Sequence, residues 1–208
     1  MEDKTPIFWG CTITHNYPYL MEATRKALEA LGTKLDEYKD FSCCPDPVYV
    51  KAYDKKAQLA LSARNLSLPR NKQKNKLLVV CNGCYNILHE ANAELKDNKR
   101  RQEINGLLPE ENKYDGNLRV EHALQEIYSS LPLLKTKVKK PLKGLQVAVH
   151  YGCHALYPAA VSEDNPENPA SMDEIVRALG AESIEYETNW TAAEHRLQYT
   201  ASRKPTIY

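Results

Sequence analysis

Leu77-Leu78-Val79-Val80-Cys81-Asn82-Gly83-Cys84-Tyr85 is the stretch that decides the fold. The unbroken apolar run 77–80 has the character of a short central strand in a parallel sheet, where both faces are covered. Asn82-Gly83 makes a turn. Residues 85–95 then place Ile87, Leu88, Ala91 and Leu95 at the three-and-four spacing of an amphipathic helix. A cysteine tops a strand, and the C-x-x-C motif occupies a strand-to-helix junction. The N-terminal segment has the same design. Pro6-Ile7-Phe8-Trp9-Gly10 reads as a buried strand that ends directly before Cys11. Leu20, Ala23, Ala27, Leu28 and Leu31 predict a helix over 19–31 closed by Gly32, and residues 33–38 alternate as a second strand. Phe41-Ser42-Cys43-Cys44-Pro45-Asp46-Pro47 breaks regular structure, so the cysteine pair is expected in a loop.

Further along, residues 57–67 read as a helix, 69–76 as an exposed charged connection, 96–101 as a charge run, 104–114 as irregular chain and 118–131 as another helix. The basic stretch 135–143, which contains Pro141, resembles a linker and sets a domain boundary near residue 140. The opening pattern then returns: a strand over 145–150, Tyr151-Gly152-Cys153, a helix over 172–179 and a strand over 183–186. Ala30-Leu31-Gly32 with Tyr38 matches Ala178-Leu179-Gly180 with Tyr186 at one constant offset, and the polar loop 162–169 absorbs the extra residues of the second copy. The expected fold class is α/β: two related cysteine-rich α/β repeats with short parallel sheets, 1–140 and 141–208, the second truncated.

Composition narrows the function class. A chain of 208 residues, 42% hydrophobic and 26% charged, buries a substantial core without covalent staples. The formal net charge of +1 leaves no basic footprint of the kind that binds nucleic acid. No apolar run approaches the roughly 20 residues that span a bilayer. The polar start Met1-Glu2-Asp3-Lys4 offers no secretory signal, so a cytoplasmic location is expected. In that reducing compartment the six cysteines are expected as metal ligands or reactive thiols rather than disulfides.

If the strands before Cys11 and Cys81 lie side by side, both cysteines emerge at the carboxyl edge of the sheet, where open α/β sheets carry their sites. Cys43 and Cys44, after the second strand, join them, and Cys84 completes a set of five. Gly10 and Gly83 let backbone approach a bulky centre. Five soft donors exceed the four of a structural zinc, and adjacent cysteines aim poorly at one tetrahedral ion. A multinuclear iron–sulfur centre can use one thiolate as a bridge and four as terminal ligands, which makes it the leading reading. Three others stay open: buried thiols acting as small hydrophobes, a zinc site, and a thioredoxin-like dithiol at Cys81 and Cys84.

The cysteine pattern, with Trp9-Gly10-Cys11-Thr12, Cys81-Asn82-Gly83-Cys84-Tyr85 and His150-Tyr151-Gly152-Cys153-His154, resembles the tandem cysteine-rich CCG domain of the heterodisulfide reductase family, as found in that enzyme's B subunit. That resemblance implies a noncubane [4Fe–4S] cluster held by Cys11, Cys43, Cys44, Cys81 and Cys84. It implies reductive cleavage of a disulfide, the one joining coenzyme M and coenzyme B in methanogens. It also implies a ferredoxin-like iron–sulfur subunit and a flavin-containing subunit as partners. Cys153 would be the first ligand of a second cluster. The place of its cysteine pair falls near Thr191-Ala192, and no later C-x-x-C follows. One intact site and an orphan Cys153 are therefore expected, in an incomplete repeat whose tail diverges after Tyr186, as in an altered or early-ending form of a longer subunit. The alternative is a one-cluster electron-transfer subunit without its own substrate.

Imidazole titrates near neutral pH, so His150 and His154, flanking Cys153, are candidate proton donors to product thiolates; the competing reading makes them hydrogen-bonded loop histidines. His15 is a candidate donor to a cluster sulfur. His89 is expected on the surface or in packing, and Tyr17, Tyr19 and Tyr85 in the core.

Overall fold

The computed structural model describes residues 4–46, 49–156 and 164–184. Contacts divide the chain into two units, Met1–Lys137 and Val138–Tyr208. The first runs β1 (Thr5–Phe8), α1 (Cys11–Asn16), α2 (Pro18–Ala30), β2 (Leu35–Glu37), α3 (Tyr49–Tyr53), α4 (Lys55–Asn71), β3 (Lys76–Val79), α5 (Asn82–Glu94) and α6 (Asn98–Asn105). A 3-10 turn (Glu110–Asn112), β4 (Arg119–His122), α7 (Ala123–Ser129) and α8 (Leu131–Lys137) follow.

Its four strands form one sheet in the order β2-β1-β3-β4, with every pair parallel. β1 and β3 are neighbours, with Ile7 opposite Leu78 and Phe8 opposite Val79. Successive side chains of a strand point to opposite faces, and both faces are covered. Phe8, Leu77, Val79 and Val120 pack with Leu59, Ala63 and Leu66 of α4 and with Ile87, Leu88 and Ala91 of α5. Ile7, Trp9 and Leu78 pack on the other side with Ile13, Leu28 and Ala123. The α/β class and the parallel sheets expected from the alternating pattern are what the chain forms.

Three elements differ from expectation. Residues 118–131 are a strand followed by helices rather than one helix: β4 has a single buried position, Val120, while Arg119, Glu121 and His122 are polar. The helical spacing of Leu124, Ile127 and Leu131 masks an edge strand that short. Helix α4 continues through Pro69 to Asn71. Proline removes one backbone donor there, but the helix ends within a turn, where the Pro69 carbonyl accepts from the amides of Lys72 and Lys74. Arg70 is held by Asp115 at 2.8 Å, so the connection after α4 is tied down rather than merely solvated. The charge run near residue 100 is helical as well, in α6, with the Asp97 side chain capping the Arg100 amide at 2.7 Å.

The second unit contains β5 (Gln146–Val147), α9 (Cys153–Leu156), α10 (Ser171–Ala178) and β6 (Glu182–Ser183), with β5 and β6 parallel. Val149, Tyr151 and Leu156 form its small core with Val147, Met172 and Val176. The strand expected over 145–150 is shorter. Part of the one expected over 183–186, and the Thr191-Ala192 position, lie outside the described residues. Among the described residues no helix is long and apolar enough to cross a membrane.

Candidate metal centre

The sheet carries three cysteine-bearing segments away from its carboxyl edge. After β1, Gly10 takes φ +80° and ψ 153°, and Cys11 opens α1. After β3, Cys81 is the N-cap of α5 and Cys84 sits in its first turn. Because β1 and β3 are adjacent, these two exits are adjacent too. A Cβ built on Gly10 would stand 2.8 Å from the Cys84 sulfur and 3.4 Å from Cys81 Cβ. Only glycine combines that left-handed backbone with so close an approach.

The third segment follows β2 and is brought in by side chains. Phe41 lies edge-on to Phe8 with ring centroids 4.9 Å apart and stacks on Tyr38 at 5.3 Å, which folds the chain back over β1. Asn65 of α4, fully buried, then clamps the loop. Its Oδ1 accepts from the Ser42 amide at 3.0 Å, and its Nδ2 donates to the Cys43 carbonyl at 3.0 Å.

The five thiols form one connected group. Cys44 and Cys84 are in hydrogen-bond contact, Cys84 also touches Cys81, and Cys43 touches Cys44. Cys11 is close enough to Cys43 to act on its ionisation. Cys44 and Cys84 are buried, whereas Cys11 and Cys43 are exposed and Cys81 lies between. All are free thiols. The hydrogen bond with Cys44 holds the Cys84 thiol far above the usual thiol range, reinforced by Cys81 and by burial. The same bond lowers Cys44. Burial raises Cys43, and the neighbouring Cys44 and Cys11 add to it.

Among the described residues no three His, Cys, Asp or Glu side chains are gathered as ligands of a single ion. A multinuclear cluster spreads its thiolates over a wider space than one tetrahedral zinc. The donor set is soft, and the missing side chain at Gly10 lets the backbone lie directly against Cys84 and Cys81, so these residues fit an iron–sulfur group.

The histidines and tyrosines separate. His15 is exposed, with Nδ1 3.0 Å from the Cys11 carbonyl oxygen. His150 and His154 are exposed, on either side of the Gly152-Cys153 step in the second unit. His89 is part-buried and stacks on Tyr85 at 5.1 Å. Tyr85 is in the core at 2% exposure, but Tyr17 and Tyr19 are 43% and 71% exposed, which corrects their expected place. Pro18 starts α2 between them and turns both to solvent.

Two residues at the site escape sequence reasoning. Asn65 is one; the signal for it is the polar series Gln58, Ser62 and Asn65 at helical spacing beside the apolar stripe of α4, all three fully buried. His122 is the other. At the carboxyl end of β4 its Nδ1 accepts from the Leu124 amide at 3.1 Å, while Gln125 accepts from the His122 amide, forming a capping box on α7. Its ring meets Tyr85 edge-on at 5.5 Å, and burial pushes its pKa down to about 4.

A family model described as a cysteine-rich domain, CCG, matches residues 6–89 and 147–190. The chain is 37% identical over 188 residues to the B subunit of the ferredoxin/F(420)H(2)-dependent CoB-CoM heterodisulfide reductase of Methanosarcina acetivorans, an alignment that covers 88% of this chain and 62% of that protein. It is 34% identical over 204 residues to the 8-methylmenaquinol:fumarate reductase membrane anchor subunit of Wolinella succinogenes, covering 97% of this chain and 70% of that one. The chain thus spans less than two thirds of the length of its heterodisulfide reductase relative. A crystal structure of a hypothetical protein from Helicobacter pylori has the same fold, with a TM-score of 0.68 at 13% identity, over 92% of this chain and 34% of that one.

Proposed function

This chain belongs to the cysteine-rich CCG domain family, and from that premise we propose that it is the iron–sulfur subunit of a heterodisulfide reductase-type complex. In this reading Cys11, Cys43, Cys44, Cys81 and Cys84 hold one noncubane [4Fe–4S] cluster, and the complex cleaves a disulfide reductively. The contact group of five free thiols, with Gly10 packed directly against Cys84, is the observation that supports it. Bound there, such a cluster supplies electrons singly and an iron able to take a sulfur ligand.

The protein's own part is positional and acid–base. Ligation needs thiolates, so thiol protons leave as metal enters. Cleaving a disulfide to two thiols consumes two electrons and two protons. His150 and His154, exposed beside Cys153, are the proposed proton donors. Cys153 is proposed as an orphan ligand of an incomplete second site. A ferredoxin-like iron–sulfur subunit and a flavin-containing subunit are the proposed partners, in the cytoplasm, and the coenzyme M–coenzyme B heterodisulfide is the substrate if the source is methanogenic.

A second reading, a one-cluster electron-transfer subunit without its own substrate, is favoured by the Wolinella succinogenes relative, a subunit named for a quinol:fumarate reductase. Reconstituted protein with reduced methyl viologen and the coenzyme M–coenzyme B disulfide separates the two. Catalytic dye oxidation with release of two thiols per disulfide supports the reductase. Reduction of the protein by the dye with no thiol release supports the carrier.

A further inference from the structure

The two repeats end their helices identically. Gly32 and Gly180 both take a left-handed backbone, with φ +89° and +86°. The Gly32 amide bonds to the Glu29 carbonyl and the Thr33 amide to Leu28, and the same bonds link Gly180 to Arg177 and Ala181 to Val176. On this alignment Arg25 of α2 stands where Asp173 stands in α10. The Gly-Cys steps align as well, so Trp9 stands where Tyr151 does.

These aligned residues meet in both repeats. In the first, the Arg25 guanidinium lies 5.3 Å from the centre of the Trp9 ring. It is held there by Glu22, 3.2 Å away in the same helix, and by Glu37 of β2. In the second, the Tyr151 hydroxyl donates to Asp173 Oδ2 at 2.7 Å, and Ser183 of β6 donates to the other oxygen of the same carboxylate. Each repeat therefore links three parts: the aromatic residue before Gly-Cys, one polar residue of the following helix, and a residue of the next strand. The chemistry differs, a cation on an indole face against a hydroxyl on a carboxylate, and the connection is the same. The helices that carry the cysteines have little else to fix them, since Ile13 is the one buried residue of α1 and Leu156 of α9.

We propose that Arg25 and Asp173 are positioning residues that grip Trp9 and Tyr151 and so fix the directions in which Cys11 and Cys153 leave the sheet. For Cys11 this rests on the cluster reading above.

The test uses the full chain, both metal-free and after anaerobic reconstitution with iron and sulfide. In the metal-free chain, Arg25→Leu is expected to raise amide hydrogen exchange over residues 10–14 at least about tenfold, a local opening, with β3 and α5 unchanged. Arg25→Lys keeps a cation over the indole and restores slow exchange. Asp173→Leu does the same over 151–156. In the reconstituted chain Arg25→Leu shifts the midpoint potential and the EPR line shape, and Arg25→Lys returns both. Unchanged exchange at 10–14, or a rise spread evenly over the first unit, overturns the proposal. So does an unchanged potential and EPR signal in an iron-loaded Arg25→Leu protein. If the wild-type chain takes up no iron, the cluster reading fails, and the exchange measurements still decide the tether.

Discussion

A Cβ on Gly10 would come within 2.8 Å of the Cys84 sulfur. Two crossover segments, one leaving β1 and the other leaving β3, meet at that point, and the absence of one methyl group lets the thiols share a space. Gly10→Ala adds that methyl on a backbone with φ +80°. The substitution is expected to lower stability by about 1–3 kcal/mol and to abolish iron uptake, as read by chemical denaturation of the metal-free protein and by iron per chain after reconstitution.

Asn65 secures the second approach to the site. Replacing it with leucine removes the bonds to the Ser42 amide and Cys43 carbonyl and leaves part-buried backbone groups unpaired. A loss of about 1–3 kcal/mol is expected, together with reduced iron occupancy. Asn65→Asp, which keeps the acceptor, should lie between the two.

Thiol accessibility gives a prediction that needs no metal. In the metal-free protein Cys11 and Cys43 should react with iodoacetamide ahead of Cys44 and Cys84, because the first two are exposed and the second two buried. Peptide mass spectrometry should show at least roughly tenfold slower labelling of the buried pair, since attack requires access to the sulfur. Equal rates at all four would contradict the packing.

His122 sets a pH dependence. Its folded pKa, pushed down to about 4, lies below the ordinary histidine value of 6.5. The unfolded chain therefore binds the proton more readily, and the stability from neutral His122 is present above pH 6.5 and lost as pH falls toward 4. That loss should be on the order of 3 kcal/mol. His122→Asn retains a capping acceptor and should flatten this acid slope, measured by denaturant midpoints of the metal-free protein across the same range.

Much of the fold was legible because the decisive segments carry strong local signals. Leu77-Leu78-Val79 is wholly buried, and a short apolar run with cysteine and glycine behind it has few other interpretations. The parallel direction of the strands follows from the helices between them, whereas the placement of β1 beside β3 is a fact of the fold. β4 was not legible, because one buried residue in four gives no period. Asn65 was hidden for another reason: its partners are far away in sequence, so the polar series Gln58, Ser62 and Asn65 shows a polar stripe on the helix but not what that stripe holds. The arginine–indole contact of Arg25 and Trp9 is likewise a tertiary fact. The exposure of Tyr17 and Tyr19 turned on Pro18 opening a helix, which spacing alone placed one residue later.

Iron and acid-labile sulfide in anaerobically reconstituted protein, with EPR of the same sample, test the central claim most directly. One cluster on five thiolates predicts about four irons and four sulfides per chain, with a signal lost in Cys81→Ser. Zinc without sulfide, or about eight irons, would contradict it.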